Sequence, residues 1–257
     1  MDLPDPRPLS LEVHAREQLT PLITRVVVGG DDLLGFEFAP GQDLMLAVPT
    51  DAGTTDASTS DASTSDGGTI NRRYTIRRAD STAGTVDLDF VVHGDGPGAR
   101  WATDAPLGSS IAAVGPRGKV VPAEAVDWHL FVCDESGWAA TAAMVESLTA
   151  GDRAVIVADL AGEEEQQPLD AVADVYISWC NRDGGPIGRS EQVLAALDAL
   201  TLPDGRGHAY LSAELSVVRT VADWLAEHGF ASDDIAPKAY WRAGRANAPH
   251  GEPLRDA

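Results

Sequence analysis

Two short segments carry side chains suited to a planar, phosphorylated ligand. The first is Arg72-Arg73-Tyr74-Thr75-Ile76-Arg77. Side chains alternate along an extended strand, so Arg72 and Tyr74 project to one side. A guanidinium beside an aromatic face suits a flavin diphosphate: the cation grips phosphate oxygens in a fork and the ring covers the isoalloxazine. Thr75 adds a hydroxyl and a backbone N–H for the edge of that ring. The same residues also describe a solvated basic edge strand, where charge discourages unwanted pairing. The second segment, from His93 through Gly96, Pro97 and Ala99 to Trp101, tips the balance toward a ligand. It follows a strand-like run and opens a short helix. Glycines let backbone approach closely, Pro97 suits a first helical turn, and free N–H groups there attract phosphate. A third segment, Gly115-Pro116-Arg117-Gly118, reads as a tight turn presenting a cation.

The elements that must hold these segments fall into two halves. Before residue 122 the chain shows short β-rich runs, Leu22 to Val28, Asp43 to Val48, Arg73 to Arg77, Val86 to Val92 and Ser110 to Val114. Runs at this spacing predict a small antiparallel barrel of five or six strands, here six, over residues 1–124. Within it, residues 50–69 repeat Asp, Ser, Thr, Ala and Gly with almost no apolar side chain, which predicts a disordered acidic loop. From Trp128 the rhythm becomes strand, helix, strand. Apolar runs WHLFVCDE, RAVIVADL, VYISWC and HAYLSAE alternate with helical stripes, one over Ser136 to Leu148, another on Val193, Leu194, Leu197 and Leu200, a third on Leu215, Val218, Ala222 and Leu225. A last strand is expected at Lys238 to Arg242. This pattern predicts a parallel α/β sheet over residues 125–245, with ligands at the carboxyl ends of its strands, and a tail at 246–257.

Charge narrows the partners. The 257 residues hold 19 Lys plus Arg against 40 Asp plus Glu, a net −21 that repels nucleic acid and anionic membranes. The first residues lack a signal-peptide core, no apolar run is long enough to span a bilayer, and the expected location is the cytoplasm. Cys133 and Cys180 sit in apolar runs and read as buried free thiols of a reducing compartment. The six histidines show no ligating spacing, so no protein-bound metal is expected.

The order of these segments resembles the siderophore-interacting protein family of FAD-dependent ferric reductases, relatives of the ferredoxin-reductase group. The matching stretches are LTPLITRVVVGGDDL, RRYTIR, DFVVHGDGPGARWA, GPRG, CDESGWAA, WCNR, Ser212 to Arg219 and KAYWRAG, spanning roughly residues 10–245. The resemblance implies a FAD-binding barrel followed by an NAD(P)H-binding sheet, with no catalytic side chain. Arg72, Tyr74 and Thr75 would hold the pyrophosphate and ring of FAD, and His93, Gly96, Pro97 and Trp101 the rest. Asp134 and Glu135, ending the first strand of the sheet, would meet the nicotinamide. Arg182, Ser212, Glu214 and Arg219 would face the rest of NADH or NADPH. Ala99 stands where the family often has a hydroxyl, and Met45 where many members carry a lysine. A flavin accepts hydride and returns electrons singly, as iron(III) requires. The expected activity is therefore NAD(P)H-driven reduction of a ferric siderophore with release of iron(II), by a monomer. Ferric siderophores are frequently anionic, and on so acidic a chain Arg117, Lys238 and Arg242, with Lys119 and Arg245, form the expected landing rim. The alternatives are a general NAD(P)H:flavin or ferredoxin-type reductase and a non-catalytic siderophore-binding flavoprotein.

Overall fold

In the computed structural model, residues 3–50, 64–65 and 68–244 are described. Most of the tract at 50–69, Arg245 and the tail at 246–257 lie outside the described residues. The chain divides into two compact units, Met1–Val121 and Pro122–Ala257.

The first unit is built from β1 (Arg7–Gln18), β2 (Ile23–Gly29), β3 (Asp43–Pro49), β4 (Thr64–Ser65), β5 (Thr69–Asp80), β6 (Thr85–Val91) and β7 (Ser110–Arg117). Neighbours run β3-β7-β1-β2-β6-β5, and β3 pairs again with β5, which closes six antiparallel strands into a barrel. Closure removes the free edges that an open sheet would expose. Alternating Leu9, Leu11 and Val13 of β1, Leu44, Leu46 and Val48 of β3, and Val86, Leu88 and Phe90 of β6 fill the interior. The β1 strand is absent from the runs expected from sequence, because only those three residues turn inward and residues 14–18 are exposed. Gly115, Pro116 and Arg117 do not form the expected turn. They extend β7, whose Gly115 pairs with Arg7, and the chain turns at Gly118, where φ is +100°. One helix, α1 (Pro97–Asp104), packs on the barrel through buried Trp101 and Ala102.

The second unit has five parallel strands in the order β10-β9-β8-β11-β12: β8 (Trp128–Asp134), β9 (Arg153–Leu160), β10 (Asp174–Asn181), β11 (Gly207–Glu214) and β12 (Ile235–Trp241). Crossover helices are α2 (Glu135–Glu146), α3 (Glu191–Ala199) and α4 (Leu215–Glu227). Trp128, Leu130 and Val132 of β8 join a core with Val193 of α3 and Val218 of α4. The opposite face carries α2, whose Gly137 presses on Ser212 of β11, so both faces of the sheet are covered. The apolar stripe of α4 is Val217, Val218, Val221 and Leu225, rotated from the expected Leu215, Val218, Ala222 and Leu225. Both sets have helical spacing, and the burial of Val217 and Val221 decides between them. The chain runs from β8 outward to β9 and β10, then returns to β11 beside β8. Sheets of this kind bind ligands at such a reversal, here the carboxyl ends of β8 and β11.

Candidate functional site

On the barrel, β5 pairs with β3 in a register that sets Arg72 opposite Leu46 and Tyr74 opposite Leu44. Directly opposed residues share a face, so Arg72 and Tyr74 stand together as the alternation predicts. The Tyr74 ring lies 3.9 Å from that of Phe90, which lies 5.4 Å from Trp101 on α1. Burial pushes the Tyr74 phenol above its ordinary pKa. Its hydroxyl touches the first turn of α1, since a Cβ on Gly98 would stand 2.0 Å from that oxygen. Arg72 Nη1 donates to the Asn71 carbonyl at 2.9 Å. Thr75 is buried and belongs to the other face, opposite Asp43, whose carboxylate is gripped by Arg73.

Gly96 caps α1 without a side-chain hydrogen bond, and Pro97 occupies its first position. A helix begins with N–H groups that lack intrahelical acceptors. Space is open over Gly94 and Gly96, where an added Cβ would meet nothing within 4 Å, and His93 beside them is exposed. An uncapped helix start, open space, a cation and an aromatic face on neighbouring elements form a donor set that fits the pyrophosphate and ring of FAD.

The sheet edge is arranged differently. Asp134 is the N-cap of α2 and Glu135 its first residue, so Glu135 does not end the strand as expected. Asp134 Oδ1 accepts from Ser136 N at 2.8 Å, Ser136 Oγ at 2.5 Å and Gly137 N at 3.3 Å. Its Oδ2 accepts from Glu214 N at 3.1 Å and Trp241 Nε1 at 2.8 Å. Burial pushes this carboxyl up to about 6 against those hydrogen bonds. Glu214 caps α4 in the same manner, accepting from Ser216 N and Val217 N. Burial works against the Glu214 charge, but hydrogen bonds from Ser216, Ala243 and Val217 hold its pKa below the usual value. Ser212 is buried beneath Gly137.

Arg182, expected to face the nucleotide, has a side chain only 5% exposed and is ion-paired to Glu135 at 2.5 Å and Asp159 at 3.2 Å. Burial opposes its charge, and the two carboxylates more than restore it. Gln192 of α3 also donates to Asp159. Arg182 therefore ties β9, β10, α2 and α3 together through its two carboxylate partners. Asp159, Gln192 and Trp241 are missed by reading the sequence, because their partners lie tens of residues away. Arg189 is also missed; it adjoins Gly188, which abuts Glu214, and like Arg219 and Arg242 it is exposed. Arg117 Nη1 lies 2.7 Å from Met45 Sδ, which supplies a cation beside the position where a lysine is expected. Lys238 does not stand on an open rim: it is 9% exposed, its ammonium 5.0 Å from the Tyr240 ring centre.

A closed antiparallel barrel and a parallel sheet with this switch point make up a two-domain fold of the ferredoxin-reductase-like kind. The family pattern described as siderophore-interacting FAD-binding domain matches residues 12–120, and that described as siderophore-interacting protein matches residues 126–244. The chain belongs to the siderophore-interacting protein family. It is 27% identical to ferric vibriobactin reductase of Vibrio cholerae, over 95% of this chain and 93% of the relative. With the NADPH-dependent ferric-chelate reductase of Escherichia coli it shares 25% identity, over 91% of this chain and 92% of the relative. The crystal structure of a siderophore utilization protein from T. fusca superposes with a TM-score of 0.84, at 29% identity, over 97% of this chain and 98% of that one.

Proposed function

We propose that the protein is a FAD-dependent NAD(P)H oxidoreductase that reduces ferric siderophores and so releases iron(II) in the cytoplasm. The observation that carries this reading is the uncapped start of α1 beside Tyr74 and Arg72, which suits the phosphates and ring of FAD. Bound FAD supplies the exchange of a hydride for single electrons. Arg72 and the first amides of α1 bind its phosphates, Tyr74 covers its ring, and Phe90 and Trp101 hold Tyr74 in place. Thr75, on the opposite face, acts through its backbone. In the second unit, NAD(P)H binds at the carboxyl edge. There Asp134 and Glu214 fix the starts of α2 and α4, and Arg182 locks the loops between. Arg219 and Arg189 are the cations that meet its phosphates. Arg117 and Arg242 attract the ferric chelate, and Lys238 shapes its surroundings from a buried position. Free, buried Cys133 and Cys180 support a reducing compartment, and a charge of −21 sets copies against one another, in keeping with a monomer.

The test is a spectrum of the purified protein followed by anaerobic titration. FAD absorbance should bleach on adding NADH or NADPH and recover on adding an iron(III) chelate. A flavin that bleaches but recovers only with a protein acceptor or free flavin returns the general reductase. A flavin that never bleaches returns the binding module.

A further inference from the structure

The carboxyl end of β12 is fastened from both sides of one residue. Pairing with β11 is regular from Ala209 opposite Ile235 to Ala213 opposite Ala239, and then Glu214 faces Trp241, so Tyr240 is an extra residue on β12. Such a bulge re-aims whatever follows it. Here Trp241 Nε1 donates to Asp134 at 2.8 Å, although Asp134 ends β8 and β11 lies between. Two residues on, Ala243 N donates to Glu214 Oε1 at 3.0 Å. Arg242 sits between these two pins with its own side chain exposed. Both acceptors are rigid, because each carboxylate also caps a helix through backbone N–H groups.

We propose that Asp134 and Glu214 are positioning residues for the oxidative half of the reaction. Through Trp241 Nε1 and Ala243 N they fix the backbone on either side of Arg242 and aim its guanidinium at the ferric chelate. The inference rests on the reading of Arg242 as a chelate-binding cation. A cation whose backbone is already ordered loses less conformational freedom when an anion arrives, so the contact is stronger for the same charge. The bulge is what makes both pins reachable. Without the extra residue, Trp241 and Arg242 would exchange faces, since side chains alternate with period two.

The FAD-loaded full chain with Trp241→Phe tests this, because that change keeps an aromatic side chain, though a smaller one, and removes the indole N–H donor. Amide exchange at residues 241–243 should accelerate roughly tenfold, as expected when a pinned chain end is freed to open locally. Stopped-flow reoxidation of the reduced protein by iron(III) citrate, an anionic chelate, should slow roughly fivefold, and Arg242→Ala should slow it roughly tenfold, the scale of lost electrostatic attraction. The double variant should be no slower than Arg242→Ala, because the pin acts through Arg242. Reduction by the nicotinamide should slow less than reoxidation does in Trp241→Phe. If the two slowdowns multiply in the double variant, or Trp241→Phe slows nothing, the positioning proposal is overturned and the reading of Arg242 stands. If Arg242→Ala slows nothing, that reading itself is overturned. Equal losses in both half-reactions would mean a general packing role for Trp241 and would also overturn the proposal.

Discussion

The helix that starts on the barrel and the two that start at the carboxyl edge of the sheet treat the same chemical resource in opposite ways. Each begins with N–H groups that need acceptors and a dipole that favours negative charge. In α1 the cap is Gly96, with no side-chain acceptor, under open space. In α2 and α4 the caps are Asp134 and Glu214, which already accept from the first amides. The barrel therefore leaves its anion site to a ligand, whereas the sheet fills its own. A flavin held by α1 can be permanent, because the amides have no competing acceptor. On the proposed reading, a nucleotide visiting the sheet meets self-satisfied helices and is held by exposed arginines, a contact that salt weakens and that suits a ligand which must leave.

The largest effect expected from breaking this arrangement is at Gly137 in the first turn of α2. A Cβ there would lie 1.8 Å from the Ser212 carbonyl oxygen, a backbone atom that cannot move aside. Gly137→Ala should cost about 3 kcal/mol or more, seen as a lower urea midpoint. Gly98 of α1 offers the contrast, because its added Cβ would meet only the tip of Tyr74. If Gly98→Ala destabilises as much as Gly137→Ala, the two helix starts are not different in kind.

The cap of α2 should also be visible in the pH dependence of stability. The Asp134 carboxyl is pushed up to about 6 by burial, whereas an unfolded Asp titrates near about 3.9. Between those values the folded chain holds a proton that the unfolded chain has lost. The contribution of this group is then greatest below about pH 4 and declines as the pH rises to about 6, by about 3 kcal/mol in total. Urea midpoints between pH 4 and pH 7 should show the slope, and Asp134→Asn should flatten it. A slope that persists in the variant belongs to another group.

On the barrel, Arg72→Ala should weaken FAD binding by about 1.5–3 kcal/mol, the worth of a charge-assisted hydrogen bond. Unchanged affinity in a flavin titration would remove Arg72 from the site. The smallest and sharpest test converts α1 into a helix like α2. Gly96 has φ −64° and ψ 151°, which any residue can adopt, so Gly96→Asp installs an internal cap. The FAD-free protein should gain about 0.5–1 kcal/mol while FAD affinity falls. A variant that gains stability and keeps its affinity would show that the phosphates do not use these amides.

The same contrast explains what could be read from the sequence. The barrel site comes from two contiguous segments whose chemistry is local, so RRYTIR and HGDGPG announce the Arg72–Tyr74 face and the start of α1 before any fold is known. The sheet-edge network joins residues 134, 159, 182, 214 and 241, and no segment alone shows that Arg182 is already paired. Polar residues in the second half of β1 hide that strand, and the first three residues of GPRG, which resembles a turn, continue β7. Lys238 was legible as a cation near the site but not as one lying against Tyr240.

The closure of the barrel through β3 and β5 carries a consequence for how the gene could change. The two strands meet again where the intervening segment leaves and returns, with Pro49 opposite Thr69 and Thr50 N donating to the Gly68 carbonyl at 2.7 Å. The mouth of that excursion is thus stitched shut by its own backbone. Doubling the length of what lies between would cost only about 0.6 kcal/mol in closure entropy. The position is a natural splice point, where an engineer can seat a reporter domain as long as the short pairing of Thr64 and Ser65 with β5 is kept.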